Sequence, residues 1–151
     1  MKRLVVTWIM ILAFGPVKSQ SRAFGFTQLD SLQKIEQRKV LVFVYTDWCS
    51  YCQAMEQKVF GEAGIQQQLK QNYYWIALNA EDRSPISYRG HTFVFKASKG
   101  VHELAIALMP DQKKLAFPFL TILDQQNQIC FQREGFMGVA ELKKVLAYFK
   151  R

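Results

Sequence analysis

Residues Val40-Leu41-Val42-Phe43-Val44-Tyr45 form an unbroken β-branched, aliphatic and aromatic run that leads through Thr46-Asp47-Trp48 to two cysteines, Cys49 and Cys52. Such a run, with no polar alternation, reads as a strand buried on both faces, and a sheet of that kind needs covering on either side. Thr46-Asp47-Trp48 reads as the turn, and a helix then starts near Cys49 with Cys52, Met55 and Val59 along one side. A strand, a turn and a helix start therefore bring two thiols together at the end of a buried sheet.

The rest of the chain supplies the layers. Leu29, Leu32 and Ile35 recur every third residue and predict a helix over about 27–38. Ile65 and Leu69 mark a second helical piece, and 73–78 reads as another interior strand. Two short apolar segments flank Arg89-Gly90-His91 as a hairpin, and Leu104, Ala105 and Leu108 share a face on a short helix after Gly100. Strands are expected at 119–123 and 129–133, joined by a turn at 124–128, and Val139, Leu142, Val145, Leu146 and Phe149 form the buried face of a last helix. No repeat or low-complexity linker divides the 151 residues, half of them apolar, so one domain is expected.

The first residues indicate the compartment. Lys2 and Arg3 precede an uncharged apolar run from Leu4 to Phe14, which ends at Gly15-Pro16 and is followed by Val17-Lys18-Ser19. That three-part form is a secretory signal peptide over residues 1–19. As a helix the run spans about 16 Å, short of the roughly 30 Å hydrocarbon core, which argues against the alternative of a retained signal anchor. No other segment approaches that length, so no stable membrane insertion is expected after cleavage. The periplasm is the expected destination, with the extracellular space as the alternative. Losing Lys2, Arg3 and Lys18 takes the net charge from +8 to +5, much of it on Lys143, Lys144, Lys150 and Arg151. Without a basic cluster interleaved with aromatics, nucleic-acid binding is not expected. The residual excess suits acidic partners, if any.

An exported chain with three cysteines leaves one over after pairing. The spacing of Cys49 and Cys52 permits a disulfide. At a helix start the free backbone N–H groups favour the thiolate of Cys49, which makes it the nucleophile and the inward-facing Cys52 the resolving thiol. A zinc site would need two more ligands, and His91, His102 and Cys130 provide no second close pair. A static disulfide remains the rival reading, although a bridge closing so short a loop restrains the unfolded chain little. Cys130, between Ile129 and Phe131, is expected to be a small buried side chain.

Residues 40–52 resemble the strand–turn–helix motif of the thioredoxin superfamily. Phe117-Pro118-Phe119 matches the place of that family's cis-proline, and Gly135 with the last helix matches its closing segment. The resemblance extends in order over 27–151 and is nearest to exported bacterial thioredoxin-like proteins with a hairpin-helix insertion, here about 82–115. It implies an α/β thioredoxin-like fold, a central mixed sheet flanked by helices, covering 20–151. It also implies thiol–disulfide exchange with protein substrates and a redox partner, without a cofactor and as a monomer. Cys49 and Cys52 would be catalytic, and Trp48, Ser50, Tyr51, Phe117 and Pro118 would line the substrate groove. The direction (reductase, oxidase or isomerase) is not specified by the sequence. The alternative is a non-catalytic binding module of the same fold with a structural Cys49–Cys52 disulfide.

Three departures from the family pattern matter. Ser50-Tyr51 stands between the cysteines in place of Gly-Pro, so the reduction potential does not carry over. Phe43 stands where thioredoxins bury an aspartate, and Ala77 where its lysine partner would be. The usual proton relay to the second cysteine is thus missing, and Asp47 is the nearest acid in sequence, although a cap or a solvated charge is its simpler role. His91 and His102 fall on different elements and are not expected to act as a pair. Glu103 is expected to be solvated.

Overall fold

The computed structural model describes residues 23–111 and 114–150; residues 1–19, expected to form a signal peptide, lie outside the described residues. Four strands form the main sheet: β1 (Lys39–Tyr45), β2 (Tyr73–Asn79), β7 (Phe119–Leu123) and β8 (Ile129–Glu134). Their order is β2-β1-β7-β8. β1 runs parallel to β2 and antiparallel to β7, and β8 pairs antiparallel with β7 alone, which makes the sheet mixed. The five central residues of β1 are fully buried, as its composition requires.

Alternation along β1 divides the core. Val40, Val42 and Val44 face a layer with Phe26 and Leu29 of α1 (Phe26–Ile35) and Leu104 and Leu108 of α4 (Glu103–Leu108). Leu41 and Phe43 face the opposite layer with Met55, Ile65, Leu69, Leu142 and Leu146, and both cysteines lie in that cluster. These residues come from α2 (Ser50–Ala54) with its π-helical continuation Met55–Phe60, from α3 (Ala63–Asn72) and from α5 (Val139–Phe149). α1 ends earlier than its periodicity predicts. Gln33 explains the early stop: its amide donates to Arg38 O at 2.7 Å and accepts from Arg38 N at 2.9 Å, holding the chain extended into β1.

The connection from β2 to β7 carries two small strand pairs and α4. β3 (Ile86–Tyr88) and β4 (His91–Phe93) form the expected hairpin, with Arg89 at φ 52° and Gly90 at φ 75°. Positive φ at both central residues matches the twist of a two-residue hairpin, and glycine takes it without cost. The hairpin packs on α1: the Tyr88 ring stands edge-on to Phe26 at 5.1 Å, and Arg89 N donates to Asp30 Oδ2 at 3.3 Å. Tyr88 OH donates to Asn127 Oδ1, and burial pushes the phenol up to about 12. β5 (Phe95–Lys96) and β6 (Val101–His102) form a second pair that the sequence did not announce. Glu103 is not simply solvated either: it pairs with Lys96 at 3.1 Å, which lowers its carboxyl below the usual range.

A further expectation fails at the sheet edge. Cys130 is exposed, not buried. β8 is an edge strand, and its pairing passes from Ile122↔Phe131 to Leu123↔Ile129, so Cys130 is the residue the ladder skips. A bulge of this kind turns one residue out of the pleat. The Cys130 Sγ lies 3.4 Å from Ile122 O, and desolvation, the largest cause, raises its pKa above that of an ordinary thiol.

Candidate functional site

The end of β1 fixes the cysteines. Cys49 N donates to Thr46 O at 3.2 Å, and Gln53 Nε2 to Asp47 O at 2.9 Å, which tie the turn to the helix it precedes. Cys49 is the N-cap of α2, and its Sγ accepts from Cys52 N at 3.1 Å. Cys49 and Cys52 are joined as a disulfide with their Cα atoms 5.2 Å apart. Both are buried, Cys49 at 5 % exposure and Cys52 at 1 %. A backbone N–H already aimed at Cys49 Sγ would stabilise negative charge on that sulfur once the bond is reduced.

Exposed aromatics surround this chain segment. Trp48 is 69 % exposed, stands edge-on to Phe117 at 6.2 Å, and donates from Nε1 to Glu81 Oε1 at 3.1 Å. Tyr51, 66 % exposed, lies 6.5 Å from Phe136, itself 43 % exposed. The Phe117–Pro118 peptide is cis, and Gly135 N donates to Pro118 O at 2.8 Å. Gly135, at φ 83°, lets the chain turn out of β8 here and places Phe136. Ser50 is exposed at the start of α2. Large rings left in water, Trp48 and Tyr51 beside the disulfide and Phe136 beside the proline turn, with Phe117 half-buried between them, are a surface suited to covering by another polypeptide.

Beneath the cysteines the site is apolar. Phe43 stacks on Tyr45 at 5.7 Å and tilts against Phe60 at 4.9 Å, and Phe60 meets Trp75 at 5.1 Å. Phe43 sits directly opposite Ala77 in the β1–β2 register. The departures at Phe43 and Ala77 are therefore neighbours, and neither side chain can take up a proton.

Charge instead gathers at one flank. Burial raises the Tyr45 phenol, and Glu56, Asp47 and Asp82 raise it further. Burial also raises the carboxyl of Glu56, with Asp47 adding to it. Asp47 Oδ2 accepts from Asn79 Nδ2 at 3.1 Å. The flank of the site is thus acidic although the chain is basic, so the excess of cations does not describe this surface. Glu56, Glu81 and Phe136 were not singled out from sequence. Glu56 had a signal, lying four residues past Cys52 on the same helical segment, and Phe136 follows Gly135. Glu81 had none, since its partner is 33 positions away. His91 is exposed and packs on Phe93, whereas His102 is buried in the cap of α4, and the two do not meet. Among the described residues no three His, Cys, Asp or Glu side chains stand where they could hold a metal ion.

Residues 27–150 match a family described as thioredoxin-like domain. Among solved structures, the chain resembles a thioredoxin from Thermus thermophilus (TM-score 0.61, 17 % identity, covering 85 % of this chain and 86 % of that one). It also resembles a DsbH oxidoreductase (TM-score 0.59, 17 % identity, 91 % and 96 %). A disulphide isomerase from Xylella fastidiosa Temecula1 gives TM-score 0.58 at 12 % identity, covering 90 % of this chain and 98 % of that one. At these identities the likeness is one of fold. No curated protein sequence matches this chain.

Proposed function

The chain belongs to the thioredoxin-like domain family, and on that footing we propose that it is an exported thiol–disulfide oxidoreductase that acts on protein disulfides through Cys49 and Cys52. The observation that carries this reading is the paired cysteines at a helix start, one sulfur receiving a backbone N–H, beside exposed aromatic rings.

In the reduced protein, the Cys49 thiolate attacks one sulfur of a substrate disulfide. A Cys49–substrate S–S bond forms, and the other substrate sulfur leaves as a thiolate and takes up a proton. Cys52 then loses its proton and attacks Cys49 Sγ, releasing the second substrate thiol and closing the Cys49–Cys52 disulfide. Substrate is reduced by two electrons and the protein is oxidised; the reverse sequence oxidises a dithiol. A partner dithiol or disulfide resets the pair, so no bound cofactor is required. Trp48, Tyr51, Phe117 and Pro118 line the groove that receives the substrate, with Ser50 beside the sulfurs. With Phe43 in the buried position, the proton of Cys52 must go to water, to substrate or to the acids on the flank. Glu56, four residues past Cys52 on the same helical segment and with its carboxyl raised by burial, is one of these acids, and Asp47 is another.

Reduced protein is expected to speed insulin disulfide reduction by dithiothreitol, and Cys49→Ala is expected to fall to the uncatalysed rate. A wild type no faster than the thiol reagent alone contradicts the proposal. Export through residues 1–19 belongs to the same reading: the mature chain should begin near Gln20, and an intact Met1 on the exported protein contradicts it.

A further inference from the structure

Resting on that exchange reading, we propose that His102 and Glu81 are positioning residues: the buried histidine of the β2–β7 connection pins the segment whose Glu81 holds Trp48 beside Cys49. His102 is fully buried. Its Nδ1 accepts from Leu104 N at 3.2 Å and caps α4, so Nδ1 carries no proton. The single ring proton is therefore on Nε2, which lies 3.2 Å from Ser84 O and donates to it. The backbone of the same residue reaches Ala80, with His102 N donating to Ala80 O at 2.6 Å. One residue thus grips the segment 80–84 at both ends.

That segment leads directly to the site. Ala80 is fully buried, and its N donates to Tyr45 O at 2.8 Å, so its backbone is clamped between the end of β1 and the connection. Glu81 N donates to Asn79 Oδ1 at 2.9 Å, while Asn79 Nδ2 holds Asp47, the residue before Trp48. From this fixed backbone the Glu81 carboxylate accepts the Trp48 indole N–H at 3.1 Å. Trp48 has little else to fix it: it is 69 % exposed, and among the described residues its aromatic contact is the edge-on approach to Phe117. A large ring so placed loses its orientation if the carboxylate drifts, and a substrate that packs on it must then order it at the cost of affinity. The connection between β2 and β7 thereby sets the geometry of a groove it does not itself line.

The test uses the full-length reduced protein, with insulin as the protein disulfide and oxidised glutathione as the small one. Glu81→Ala and His102→Asn are expected to raise KM for insulin about five-fold, the size of one hydrogen bond lost, with kcat moving much less. The Trp48 indole N–H, followed by NMR, is expected to exchange with solvent faster in both. Glu81→Gln keeps an acceptor for the indole and should restore both readouts. Asparagine retains the cap on α4 but is too short to reach Ser84, whereas His102→Gln retains the donor to Ser84 and should keep the wild-type KM. If His102→Asn does not fold, His102→Gln carries that arm, and a raised KM in it overturns the inference. Unchanged indole exchange in Glu81→Ala, or an unchanged insulin KM in either Glu81→Ala or a folded His102→Asn, overturns it as well. A wild type inactive on both disulfides overturns the exchange reading itself, whereas an active wild type with unaltered variants overturns only the positioning role.

Discussion

Replacing Phe43 by aspartate is expected to lower the free energy of unfolding by more than about 3 kcal/mol at neutral pH. The ring is fully buried, stacked on Tyr45 and tilted against Phe60, and truncating such an aromatic leaves a cavity its neighbours fill only in part. The new carboxylate would face Ala77, which offers it neither a cation nor a donor side chain. Burial would raise its folded-state pKa above the unfolded value of about 3.9, so the folded form holds the proton longer. The variant should accordingly be least impaired at acid pH and lose stability as pH rises toward that folded-state pKa, above which the loss levels off. In the fraction that folds, a carboxyl in the cluster that holds Cys52 should speed release of the mixed disulfide. Denaturant titrations of both proteins across pH test the stability claim. A loss under about 1 kcal/mol at neutral pH would mean that the packing around Phe43 has been misjudged.

The second large effect is kinetic. Cys52→Ala is expected to accumulate mixed disulfides with its substrates, whereas Cys49→Ala should form almost none. Without the resolving thiol the intermediate has no internal exit; without the nucleophile it never arises. The asymmetry follows from the helix start: Cys49 Sγ receives the Cys52 N–H, while Cys52 is the more deeply buried of the two, at 1 % against 5 %. Non-reducing gels of the two variants from the exporting cell suffice to compare them. Equal trapping, or trapping through Cys49→Ala alone, reverses the assignment.

What the sequence made legible was local. The run at 40–45, the turn and the cysteine spacing are adjacent in the chain, and the structure builds them as one strand, turn and helix start. The positions of Phe43 and Ala77 could also be foreseen through the resemblance to the family pattern, and the register of the two parallel strands sets them opposite each other. Arg89-Gly90 announced its hairpin through the positive φ such a turn demands. The misses depend on pairings that no local pattern encodes. Cys130 has apolar neighbours, but its exposure is decided by a bulge against β7. The π-helical stretch Met55–Phe60 keeps the apolar spacing of an ordinary helix and so looks like one in sequence. Glu81 reads as one surface acid among several until the fold brings it to Trp48.

The buried disulfide is also compatible with the rival reading, a binding module whose Cys49–Cys52 bridge never opens. The reduction potential of that pair, measured by equilibrating the full-length protein in buffers of dithiothreitol and its oxidised form, separates the two most directly. An exchange-active pair is expected well above about −300 mV, whereas a value below about −300 mV, in the range of purely structural disulfides, would contradict the proposed function.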